Sequence, residues 1–165
     1  MSEDVIDFGH SIADVLSHRG EEDDYILAGA VCELLTEKEN QHGFDALCEQ
    51  EKIFYIAGDM IRQLDSGGFG SYFYNTGHLA HRLIDALTAI GSTTCLALAK
   101  QAISIYGKVP ATNYDDMLEE LDKLTEGFDL DLWGEQDDQY FDSDEHLGTL
   151  LMNYADKHQQ HFQLT

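Results

Sequence analysis

Apolar residues recur along this chain at intervals of three and four almost from end to end, the spacing that gathers them on one face of a helix. Val5, Ile6, Ile12, Ala13, Val15 and Leu16 open the pattern, and Arg19-Gly20 reads as a stop. A second helix is predicted to start near Asp23, with acids in its first turn to suit the dipole, and to bury Tyr25, Ile26, Ala30, Val31, Leu34 and Leu35. Gly43 interrupts the pattern beyond that helix. Residues 50–65 give another helix through Ile53, Phe54, Ile56, Ala57, Met60, Ile61 and Leu64. The next stretch, SGGFGSYFYNTG, shows no helical period and reads as a glycine and aromatic turn, with Phe69, Tyr72, Phe73 and Tyr74 anchoring it to the core.

Two strongly apolar helices come next, HLAHRLIDALTAI and STTCLALAKQAISIY, separated by Gly91 and by Ser92, a natural N-cap. Pro110 lies in a connector, Asn113 is placed to cap the helix YDDMLEELDKLTE, and Gly127 ends that helix. Residues 129–145 form the longest candidate loop, and HLGTLLMNYADKHQQHF closes the chain as an amphipathic helix. Only YFYN and FDLDLW hint at strands. The expectation is a single all-α domain over residues 1–165, of about seven helices with an acidic loop before the last.

Charge changes this picture. Acids number 32 against 9 basic residues, for a formal net charge of -23, a field that repels nucleic acid and anionic membranes and attracts basic surfaces. It is unevenly placed: residues 1–65 carry 16 acids and 4 bases, residues 66–114 carry 1 and 3, and residues 115–165 carry 15 and 2. Acidity serving solubility alone would spread over every face. Cys32, Cys48 and Cys95 are odd in number and widely spaced, which fits reduced thiols in a cytoplasmic protein. The acidic opening MSEDVIDFGH argues against routine secretion, and the chargeless run between Asp85 and Lys100 is too short to span a bilayer.

The densest run, DLDLWGEQDDQYFDSDE, approximates a calcium loop at Asp129, Asp131 and Gly134, but Trp133 and Tyr140 stand where position 5 and the closing glutamate belong. The cage stays open, and no metal is assigned. His78 with His81, and His158 with His161, each share a helix face, yet two nitrogens make no zinc site. The Gly67-Gly68-Phe69-Gly70 turn lacks the lysine and hydroxyl of a phosphate loop, and no GxSxG or HExxH motif occurs, so neither a cofactor nor an enzyme activity is expected.

The helix YDDMLEELDKLTE is more specific. With Met117, Leu118, Leu121 and Leu124 inward, Asp115, Glu119, Asp122 and Glu126 fall in one stripe, rising about 4.5 to 6 Å from one to the next. From Asp115 to Glu145 there are 14 acids and one base, Lys123. Trp133, Tyr140 and Phe141 are expected to pin the following loop to the body. The expected contact residues for a basic partner are Asp115, Asp116, Glu119, Asp122, Glu126, Asp129, Asp131, Asp137, Asp138 and Asp142. Glu21-Glu22-Asp23-Asp24 forms a second acidic group that capping explains only in part.

The segment SGGFGSYFYNTGHLAHRLIDALTAIGSTTCLALAKQAISIYG, within residues 66–108, resembles the core of a bacterial family through Gly67, Gly68, Phe69, Tyr72, Phe73, Asn75, Leu87, Ile90 and Gly91. The family is that of the nineteen-kilodalton acidic DNA mimic. The resemblance implies a mainly helical homodimer that presents carboxylates in a phosphate-like arrangement to a basic helix-turn-helix transcription factor and so relieves repression, without binding nucleic acid itself. The alternatives are an acidic calcium-binding or buffering protein and an uncharacterised ligand-binding domain.

Overall fold

A computed structural model describes residues 6–126 and 131–165. Among them run eight α-helices: α1 Ile12–Ser17, α2 Asp24–His42, α3 Glu49–Thr76, α4 Ala80–Ile90, α5 Thr94–Tyr106, α6 Tyr114–Leu124, α7 Gly134–Phe141 and α8 Leu147–Lys157, with single 3-10 turns at Phe44–Ala46, Gly77–Leu79 and Gln159–His161. The all-α expectation holds. The described residues form no strand, only an isolated bridge between Arg19 and Glu22. YFYN lies inside α3, and the described part of FDLDLW is a turn.

α3 is the central element, packed on α2, α4, α6, α7 and α8. It is broken at Gly67 and Gly68, and Gly68 stands at φ 71° and ψ -165°, a backbone open to glycine. Gln63 Oε1 accepts from Ser71 Oγ at 3.1 Å and from Asn75 Nδ2 at 2.9 Å. In a straight helix Gln63 and Asn75 would lie about 18 Å apart along the axis, so the two limbs fold back on each other. The expected glycine turn is therefore present, but the residues after it are helical. Phe69, Tyr72 and Phe73 are spaced for a helix face and are fully buried, whereas Tyr74 lies off that face and is 55% exposed, against expectation.

The face of α2 is also rotated from the predicted one. Leu27, Ala28, Val31 and Leu35 are buried, Ala30 and Leu34 only partly, and Tyr25 and Ile26 are about half exposed. Tyr25 is drawn outward because its hydroxyl donates to Asp65 on α3. α1 is shorter than expected, closed by a reciprocal cap between Ser11 and Asp14. Ile6 and Ala13 are exposed; Val5 lies outside the described residues. Ser92 does not cap α5. Its hydroxyl donates to Glu145, which takes over the capping itself: its carboxylate also accepts the amides of Thr93, Thr94 and Cys95 at 2.6 to 3.2 Å. Cys32, Cys48 and Cys95 are free thiols.

Candidate functional site

α6 begins where Asn113 accepts the amide of Asp116 at 3.1 Å, as its sequence predicts. Met117 and Leu121 are buried and Leu118 and Leu124 half-buried, which commits one side of the helix to the body. Asp115, Asp116, Glu119 and Asp122 are left on the exposed side. Glu126 is exposed too, but α6 ends at Leu124, so Glu126 stands past its last turn instead of forming a fourth helical rung. Glu120 differs from its neighbours. It faces inward to accept from Tyr106 Oη at 3.1 Å and from the amide of Ala111 at 3.3 Å, and pairs with Lys108 at 2.9 Å. Burial raises its carboxyl, yet the Lys108 ammonium and these donors hold it below the ordinary range.

The expected loop after α6 contains a helix. Trp133, 1% exposed, donates its indole N–H to Ala102 O at 3.0 Å and stacks tilted on Phe73 at 4.9 Å, fixing the start of α7 against α5 and α3. Tyr140 donates to Asp65 at 2.8 Å from the other end of α7. Phe141, expected as a third pin, is instead 60% exposed.

This pinned helix sorts the remaining predicted acids. Asp138 and Asp142 are exposed, and Asp131 is exposed with its carboxylate against Gly134, where an added Cβ would meet Oδ1 at 2.5 Å. Asp137 is corrected: it turns inward, and its Oδ1 accepts the amide of Phe69 at 2.8 Å, capping the second limb of α3. It is a structural cap and no part of the outward face. Asp129 and Gly127 lie outside the described residues.

Neutralisation is confined elsewhere. Among the described residues six ion pairs form: Arg19–Asp24, Lys38–Glu51, Lys52–Asp45, Arg62–Asp59, Arg82–Glu49 and Lys108–Glu120. None involves Asp115, Asp116, Glu119, Asp122, Glu126, Asp138 or Asp142. The N-terminal group is more committed, since Asp23 caps α2, Glu22 accepts the amide of Asp23, and Asp24 takes a two-point pair from Arg19. Two exposed apolar side chains, Tyr114 and Val109, border the start of α6. The only signal for them in the sequence is that each falls off an inward-facing position.

No three of the described His, Cys, Asp or Glu residues converge as a metal site. His78 meets Tyr114 edge-on at 5.6 Å, and burial lowers its pKa. His158 and His161 have ring centroids 6.3 Å apart. No helix among the described residues is long and apolar enough to cross a membrane.

Fold and face together define an acidic all-helical protein that carries, on a firmly seated helix, a row of carboxylates without ion-pair partners among the described residues. The chain belongs to the DMP19-like protein family, whose model matches residues 45–158 and so includes both the glycine-broken α3 and the α6–α7 face. No curated protein and no solved structure matches it.

Proposed function

We propose that this protein is a DNA mimic that occupies the DNA-binding surface of a basic transcriptional regulator, competes with operator DNA and thereby relieves repression. One observation carries the reading: Asp115, Glu119 and Asp122 are exposed in a row on one helix and have no ion-pair partner among the described residues. Backbone phosphates advance about 3.4 Å along the duplex axis per nucleotide and lie roughly 7 Å apart directly, a spacing that flexible carboxylates rising about 4.5 to 6 Å per step can approach. A surface of Lys and Arg built to position phosphates would meet carboxylates instead. The repulsion within the row is already included in folding, so it need not be overcome on association. Family membership and the resemblance of the α3–α5 core support the same reading.

The test is a gel shift in which the protein displaces operator from a regulator recovered by low-salt pull-down. Changing Asp115→Asn, Glu119→Gln and Asp122→Asn together is expected to reduce displacing potency by about tenfold or more, while Asp137→Asn leaves it unchanged. Equal potency of the triple variant and the parent removes this face from the reading.

A further inference from the structure

Away from α6, a cavity of about 580 Å³ opens between the first turn of α2, the middle of α3, the start of α5 and the stretch from the end of α7 into α8. That volume lies within the range of small-ligand sites, about 300 to 1,000 Å³. Its ionisable wall includes Glu22, Asp23, Asp24, Asp65 and Glu145, with His146 and with no lysine or arginine. Arg19, clamped on Asp24, offsets one of the five carboxylates. Asp65 is held between two elements: Tyr25 donates to one oxygen and Tyr140 to the other. The Tyr25 phenol is pushed up to about 12, first by its hydrogen bond to Asp65, and that of Tyr140 is raised first by burial, so both stay neutral donors.

Aromatic surface stands at the same place. Tyr25 and Phe141 line the cavity, yet are 52% and 60% exposed, while Ile61, Leu98 and Leu147 give it a buried apolar floor. A hard divalent cation would need several converging free oxygens; both oxygens of Glu145 are filled by donors, which leaves Asp65, with one donor on each oxygen, still able to accept. An organic cation needs only the negative field, ring faces and an apolar seat. We propose that this cavity binds a small organic monocation of the amidinium, guanidinium or alkylammonium class, with its charged end beside Asp65 and its apolar part against Phe141, Tyr25 and Leu98. No residue of the α6 row lines the cavity; from the α6–α7 face only Tyr140 and Phe141 of α7 reach it.

Benzamidine is a suitable probe, with benzamide as its neutral isostere, titrated by NMR at about 0.15 M salt to screen diffuse attraction. Saturable binding of benzamidine and none of benzamide is expected. Asp65→Asn should weaken it about tenfold or more and Phe141→Ala about threefold, while Asp122→Asn, the same charge change on α6, stays within about twofold. If Asp65→Asn fails to fold, Phe141→Ala, which alters an exposed ring, decides alone. Non-saturable binding, equal binding of benzamide, or equal losses in Phe141→Ala and Asp122→Asn would overturn the proposal. N-acetylarginine methylamide binding more tightly than benzamidine would make the source of the cation a protein's arginine side chain; the reverse order makes it a free small molecule. The gel shift with the α6 variants is unaffected by either result.

Discussion

Asp137 and Gly68 meet at the break in α3, and each explains the other. The carboxylate caps the amide of Phe69, and a Cβ on Gly68 would lie 2.3 to 2.6 Å from its atoms. Gly68→Ala combines that clash with a positive φ and is expected to cost about 1–3 kcal/mol, read from urea unfolding. Asp137→Ala should cost about 1 kcal/mol through the lost cap. Asp137→Asn should be close to neutral at pH 7. Burial, and then the neighbouring Asp131 and Asp138, raise the Asp137 carboxyl against the pull of the Phe69 amide. A raised carboxyl contributes stability at low pH that is lost as pH rises through its folded value, so at neutrality an amide gives up nothing on that account. None of this is legible in the string QDDQ. Asp137 and Asp138 are adjacent acids, and only the long-range contact with Phe69 turns one inward and leaves the other outside.

Among the helices, legibility depends on the clarity of the apolar period. α4, α5, α6 and α8 are readable because their inward residues repeat without competition. α7 is hidden: Trp133, Gln136, Asp137 and Tyr140 fall at helical spacing, but the inward set includes polar residues, so acid density reads as loop. The start of α5 misleads for another reason. A local rule selects Ser92, whereas the cap is supplied by Glu145, more than fifty positions on in the chain. Burial raises the Glu145 carboxyl, but the amides of Thr93 and Cys95, the Ser92 hydroxyl and the amide of Thr94 outweigh it and leave it below its ordinary value. Stability from such a group is present above the unfolded carboxylate range and lost as pH falls through the folded value. Glu145→Ala is therefore expected to cost about 1–3 kcal/mol at pH 7. The difference from the parent should shrink as urea unfolding is repeated at successively lower pH through the acid range.

At the scale of the whole molecule, the net charge of -23 acts on two equilibria in opposite directions. Like charges on the folded surface repel one another, which destabilises the compact state, and the same field attracts basic surfaces such as that of the proposed regulator. Salt shortens the reach of both effects, from about 30 Å at 0.01 M to about 8 Å at 0.15 M. Thermal midpoints should accordingly rise with added salt while affinity for the regulator falls. Acidity serving solubility alone predicts the first change without a matching loss of one specific partner. The α6 row links the two, because its carboxylates lack ion-pair partners among the described residues and contribute to both repulsion and attraction. The triple variant at Asp115, Glu119 and Asp122 should melt at a higher temperature than the parent in low salt, with the gap closing as salt is added. Its affinity for the regulator should also depend less steeply on salt. Melting curves and binding titrations over one salt series measure both quantities on the same samples. An unchanged salt slope for binding, despite a higher midpoint, would place the partner's cations on carboxylates other than those of α6.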